Sequence, residues 1–261
     1  IRDRDVTGVQ TCALPIWRGL FFGLLALILP LGGALAQEGK PWTYDGPEGP
    51  EKWAELEAAN AACGAGLEQS PIDLKSYFIA GLENLSFDWK AQAFPVVNNG
   101  RSVYAQVAKG STMKLGGEDF GLKQILFHIP AEHAIDGKRQ AMEIQFLHTQ
   151  GKRLVMVSVF ARPGDRNETF AQLIGHAPGK LGTQPLPNPA DPSALLPKGR
   201  GAFRYRGSLT MPPCAETVDW IVFEEPIEVS QSDIDAFKLI FPMNARPLQP
   251  LNRRFLLKGV Y

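Results

Sequence analysis

Only three cysteines and four histidines occur in 261 residues, and neither sign of charge is in excess, with 27 Lys+Arg against 27 Asp+Glu. The balanced charge removes the basic footprint of a nucleic-acid binder. The few cysteines exclude a small disulfide-stapled scaffold. Internal repeats and low-complexity tracts are absent, so a solenoid or a disordered interaction tail does not fit. An unbroken apolar run long enough to cross a bilayer is also missing. Leu20–Leu29 is the longest, half of the ~20 residues a span needs. What is present is ordinary for a globular protein: 44% hydrophobic and 21% charged residues. That length allows one large domain or two small ones.

The first residues stand apart. The chain has no initiator Met, and "VTGVQTCALPI" (Val6–Ile16) reads as the translation of a sequencing-adapter oligonucleotide. Residues 1–16 are therefore set aside as an artefact, the rival being a genuine extension. Residues 17–36 have the parts of a secretory signal peptide. Arg18 is the positive region, Leu20–Leu29 the apolar region, and Ala34-Leu35-Ala36 the cleavage pattern before Gln37. A transmembrane anchor is the alternative, disfavoured by Pro30 and the short run. The expected locale is periplasmic or secreted, with no membrane span after cleavage. Removing residues 1–36 takes away three Arg and two Asp and leaves the domain near neutral. Two cysteines remain beyond it, Cys63 and Cys214. An even pair in an oxidising compartment favours a bridge over two unrelated thiols.

Along residues 37–261 no shift in composition divides the chain, which implies one domain built around a large sheet. β-rich runs fall at Leu85–Trp89, Pro95–Asn98, Val103–Val107, Gln124–Ile129, Ala141–His148, Arg153–Phe160 and Trp220–Phe223. Gly, Asn and Pro punctuate them. "PEKWAELEAANAAC" reads as a short helix with Pro at its start. Helices are expected near Asn167–Gly175 and at Ser232–Phe241, the latter opened by Ser232 with Asp235 three residues on. His176–Gly201 is too rich in Pro for a sheet interior.

One strand carries an incomplete pattern. In "QILFHIPAEH" (Gln124–His133) a histidine at 128 shares its face with Leu126, where a metal-binding strand would carry a second ligand at i and i+2. Seven motifs in order then carry a resemblance over about Pro41–Tyr261. They are "WTYDGPEGPEKW", "CGAGLEQSPIDL", "VVNNGR", "LFHIPAEH", "MEIQFLH", "YRGSLTMPPC" and "NARPLQPLNRR". Together they resemble the α-class carbonic anhydrases in their bacterial secreted form. The resemblance implies a single α+β domain, mainly β with short helices. Its core is a large, twisted, mostly antiparallel sheet of about ten strands. It also implies a Cys63–Cys214 disulfide.

The family hydrates CO2 to bicarbonate with a Zn²⁺ held by three histidines, which lowers the pKa of its bound water to about 7. The resemblance places those ligands at Leu126, His128 and Gln145, so His128 is the one retained histidine. Leu has no lone pair, and a neutral amide is a poor match for zinc beside imidazole. His133 and His148 match structural positions, and His148, three residues from Gln145, faces the other side of its strand. His176 opens the Pro-rich excursion. None is placed to complete the site.

Other positions are mixed. Glu132 and Thr210 match the family's gatekeeper pair. Gln124 and Glu143 match groups that orient metal-bound histidines, and lose their expected partners here. Their plain reading is as buried hydrogen-bonders. Phe146, Leu147, Leu209 and Trp220 supply apolar walls, which equally suit a plain core. Met156 replaces a smaller residue of the CO2 pocket, and Met211 a common Thr. The proton-shuttle position is Arg101, which stays protonated at neutral pH.

The pattern resembles acatalytic carbonic anhydrase-related proteins. The expected function is an exported protein with a degenerate zinc site, catalytically impaired or inactive, serving as a binding or scaffold module with zinc absent or weakly bound. Its ligand or partner protein is not named by any sequence feature. The alternative is an active zinc enzyme acting on CO2 and bicarbonate. A metal-free esterase ranks last, because no Ser-His-Asp arrangement is legible.

Overall fold

Strands of alternating burial dominate the computed structural model, which describes residues 41–261. The expected artefact (1–16) and signal peptide (17–36) lie outside the described residues. In chain order the strands are β1 Asp73–Leu74, β2 Phe78–Ile79, β3 Leu85–Asp88, β4 Pro95–Asn98, β5 Val103–Gln106 and β6 Thr112–Leu115. β7 Glu118–His128, β8 Ala134–Ile135, β9 Met142–Gln150, β10 Arg153–Pro163 and β11 Gly182–Pro185 follow. The last four are β12 Gly201–Gly207, β13 Val218–Phe223, β14 Ile227–Val229 and β15 Leu257–Val260. The α-helices are short: α1 Trp53–Leu56, α2 Ala62–Ala65, α3 Glu168–Gly175 and α4 Gln231–Ile240.

Thirteen of the described strands form one sheet, whose main path of ten runs β11-β4-β5-β7-β9-β10-β13-β12-β15-β2. Most neighbours are antiparallel. In this sheet β10·β13, β10·β14 and β15·β2 are parallel. The expected fold class and the ten-strand expectation both hold. The Pro-rich excursion adds one strand, β11, at the outermost position beside β4, where a proline need not donate to a neighbour on both sides.

The central strands β7, β9 and β10 sort their side chains by alternation. Ile125, Phe127, Ile144, Phe146, Val155, Val157 and Val159 enter the larger core cluster on one face. Met156 and Phe160 join Phe203, Tyr205, Trp220 and Val222 in a second cluster. A bulge between Leu122 and Gln124 resets the register, so Leu126 lies opposite Gln145 and His128 opposite Glu143.

Local signals differ from expectation in detail. The first predicted helix breaks into α1, a 3₁₀ turn at Ala58–Asn60, and α2. Asn167 caps α3 by accepting from Phe170 N, as its sequence suggests. For α4 the cap is Ser230, not Ser232. Ser230 Oγ accepts from Asp233 N at 3.2 Å. Both Ser-x-x-Asp frames exist in "SQSDID", and the earlier one prevails because Ser230, directly after β14, is still extended.

Cys63 and Cys214 form a disulfide, with sulfur atoms 2.06 Å apart. It fastens the α1–α2 segment to the turn after Thr210. Trp42, Tyr44 and Trp53 pack with it in a third cluster. No helix of the described residues is long and apolar enough to cross a membrane.

Candidate functional site

His128 ends β7, and Asn244 fixes it there. Asn244 Oδ1 accepts from Ile129 N (2.7 Å), and its Nδ2 donates to Phe127 O (2.9 Å). Its carbonyl oxygen lies 2.8 Å from His128 Nδ1. A carbonyl only accepts, so Nδ1 carries the proton of this contact, leaving Nε2 as the ring's other nitrogen. That Nε2 is buried and has no partner.

Leu126 stands two residues earlier on the same face, 6% exposed. Directly across on β9 is Gln145, 1% exposed. Its amide Nε2 donates to Glu132 Oε2 and to Glu143 Oε1, both at 2.9 Å. Both amide hydrogens are therefore committed to carboxylates.

Glu143 is the hub. It also accepts from His133 N (2.8 Å), His133 Nδ1 (2.8 Å) and Ser158 Oγ (2.7 Å). Burial pushes its carboxyl up, but the charge and hydrogen bonds of His133 outweigh this and, with Ser158, hold it down to about 2. The network continues from His133 Nε2 to Tyr205 OH (2.6 Å) and from Tyr205 to Ser70 Oγ (2.9 Å). Burial pushes the Tyr205 phenol well up. Glu132 accepts on its other oxygen from Arg246 N (3.0 Å). Burial lowers the Arg246 guanidinium to about 10, against the opposing pull of Glu132. Arg246 donates to Gln69 Oε1, Ser70 O and Cys63 O, which ties this network to the disulfide.

His148 faces the other side of the sheet, stacked on Trp89 with ring centroids 5.6 Å apart, and burial drops its pKa to about 3. Leu147, Met156, Leu209 and Trp220 pack in one cluster. Met211, half-buried, packs at the Trp42–Tyr44–Trp53 cluster. Arg101 sits on the turn after Asn98 and Asn99, where Gly100 takes φ +83, a conformation only glycine adopts freely. Its guanidinium lies 5.1 Å above the Trp42 ring.

Three placements need correction. Phe146 does not line the pocket. It alternates with Gln145 and Leu147 and stacks on Trp89 at 4.7 Å in the opposite-face core. Thr210 makes no hydrogen bond to Glu132 among the described residues, where Gln145 Nε2 and Arg246 N donate to the two Glu132 oxygens. Glu143 has not lost its partner on β9, since the Gln145 amide takes that place. Gln124, half-buried on β7, makes no side-chain hydrogen bond among the described residues. Sequence reasoning also missed Ser158, Tyr205, Ser70 and Arg246. Their buried polar side chains on apolar strands and turns were the available signal.

Among the described residues, no group of three or more His, Cys, Asp and Glu is arranged to hold a metal ion. The family model for eukaryotic-type carbonic anhydrase nevertheless matches residues 48–259.

The chain belongs to the α-carbonic anhydrases.

Among curated α-carbonic anhydrase relatives, a carbonic anhydrase of Nostoc sp. is 36% identical over 227 residues, covering 84% of this chain and 86% of the relative. Dioscorin dioA3 of Dioscorea japonica is 31% identical, covering 80% and 81%. Among solved structures, the α-carbonic anhydrase of Thermovibrio ammonificans in complex with sulfanilamide superposes with a TM-score of 0.81 at 37% identity. It covers 84% of this chain and 99% of that one. A dioscorin complexed with ascorbate gives a TM-score of 0.76 at 29% identity, covering 84% and 98%.

Proposed function

We propose that this α-carbonic anhydrase is an exported binding or scaffold module, residues 37–261, whose zinc-dependent CO2 hydration is lost or strongly reduced. One observation carries the reading. Gln145, at a ligand position of the family, donates both amide hydrogens to Glu132 and Glu143 and stands opposite Leu126. The residues present do not fit a zinc ion held as in the family, which needs three protein ligands and an open position. One imidazole lone pair remains, at His128 Nε2. Leu126 supplies none, and Gln145 retains only a neutral amide oxygen.

Two further points support impairment. Glu132 is hydrogen-bonded to Gln145 rather than to Thr210, so the gatekeeper pair is not joined. Arg101 at the shuttle position does not relay protons at neutral pH. Export is supported by the signal-like pattern of residues 17–36 and by the disulfide, which suits an oxidising compartment. A relative complexed with ascorbate supports the binding role, since the same fold there holds an organic molecule.

The second reading is an active zinc enzyme on CO2 and bicarbonate. It is favoured by the relatives named carbonic anhydrase at 30–36% identity. Stopped-flow CO2 hydration by the purified chain with one equivalent of zinc separates the two. The proposal expects zinc-dependent turnover that is absent or far below the ~10⁶ s⁻¹ of zinc-hydroxide CO2 hydration, and turnover within about tenfold of that value overturns it.

A further inference from the structure

A large cavity lies apart from the His128 site. It measures about 1100 Å³ and is bounded by the Leu67–Glu68 bend, residues 81–83, β12 and the chain from Asn252 to Leu257. Of the network around Glu143, Tyr205 alone reaches its wall among the described residues. Small-molecule pockets ordinarily take ~300–1,000 Å³, so an organic ligand has room here. The walls are pinned without one. Arg254 donates to Gln69 O (2.8 Å), Arg206 O (3.1 Å) and Pro250 O (2.8 Å), and Asn252 Nδ2 to Leu67 O (2.7 Å).

Leu67, Leu82, Phe255 and Leu257 form the apolar part of the lining. Leu67 and Phe255 are each 70% exposed. Apolar side chains gathered in a concavity mark a binding surface, where the same residues scattered singly would not. Four arginines and three carboxylates complete the lining. Asp219 stands opposite Arg206 in the β12·β13 register, yet it accepts from Arg204 Nη2 at 2.9 Å, and Glu83 pairs with the same guanidinium. Arg254 is engaged by the carbonyls above. Arg206 and Arg253 are exposed and have no side-chain partner among the described residues. The lining thus carries one net positive charge, with two guanidiniums free to take a carboxylate in their planar forks. A phosphate, at about −1.5 to −2 near pH 7, exceeds that charge and meets the three carboxylates.

We propose that this cavity binds an amphiphilic monocarboxylate, its head group on Arg206 and Arg253 and its apolar body along Leu67, Leu82, Phe255 and Leu257. This rests on the binding role proposed above and gives it a ligand class, but it does not rest on the zinc positions, none of which lines the cavity. Isothermal titration of the purified chain with decanoate tests it, beside decanol and decyl phosphate. One decanoate per chain is expected, bound more weakly as salt is raised. Arg206→Gln and Arg253→Gln should each lower affinity about tenfold, and Phe255→Ser should weaken it too. All three positions are exposed, so the variants should keep the wild-type Tm. Lys109→Gln, which removes a charge elsewhere, leaves affinity unchanged. No saturable decanoate binding, or equal binding in wild type and both arginine variants, overturns the site. Decanol bound as tightly as decanoate overturns the arginine clamp, and decyl phosphate bound more tightly overturns the choice of carboxylate. CO2 hydration is measured on the same samples. Zinc-dependent turnover there overturns the loss of the zinc site alone, whereas absent decanoate binding overturns this cavity site alone.

Discussion

Gln145→Leu removes the donor that joins two buried carboxylates. Glu143 keeps His133 and Ser158, but Glu132 Oε2 has no other hydrogen bond, since His128 Nδ1 at 3.6 Å is too far. A hydrogen bond to a charged group contributes about 1.5–3 kcal/mol, and a buried charge left short of partners loses more than the bond itself. Two such bonds give a destabilisation of about 3–6 kcal/mol, the upper half coming from Glu132. For a domain of this size that is a fall in Tm of about 10 °C. Urea unfolding at pH 7, followed by Trp fluorescence, should show a lower midpoint at unchanged slope. Gln145→His tests the split, because one imidazole N–H can still serve Glu143 while Glu132 goes short. It should fall between wild type and Gln145→Leu. A Gln145→Leu protein within about 0.5 kcal/mol of wild type, the range of an ordinary surface change, would refute the role given to the amide.

The same structure predicts acid sensitivity in two windows. His148, depressed to about 3, contributes stability that is complete above its unfolded value of 6.5 and is lost as pH falls toward 3. Glu143, depressed to about 2, contributes stability present above 4.5 and lost below it. His148→Phe should therefore flatten the Tm–pH profile between pH 6.5 and 4.5, and an unchanged slope there contradicts this. Cys63→Ala with Cys214→Ala opens a loop of 151 residues and should cost up to about 5 kcal/mol by loop entropy, read by urea unfolding. Ser230→Ala should cost about 1 kcal/mol as a lost N-cap, while Ser232→Ala stays near zero. The reverse order would return the cap to Ser232.

The central sheet was legible because β4, β7, β9 and β10 are bounded runs of apolar and β-branched residues with clear turn signals. β12, "GAFRYRG", was not, since glycine at both ends and three polar side chains hide a strand whose second face lies at the surface. β6, "TMKL", and β15, "LKGV", each set a lysine among only two apolar residues, so neither reads as a β-rich run. Leu126 and Gln145 stood out as ligand positions only through the family motifs. Their direct opposition across β7 and β9 depends on a bulge that the sequence does not mark. The Phe146 error was avoidable, because period-two alternation already puts it opposite Gln145. The Gln145–Glu132 bond was not foreseeable, as it joins β9 to the turn after β7 through a side-chain rotamer.

Zinc titration of the wild-type chain beside Leu126→His/Gln145→His tests the account most directly. The wild type should hold no stoichiometric zinc after dialysis, and the double variant, which restores three imidazoles around a preserved His128–Asn244 contact, should hold one ion per chain. One zinc per wild-type chain, or a folded double variant that stays metal-free, would contradict the claim that these two residues alone separate this protein from the family's metal chemistry.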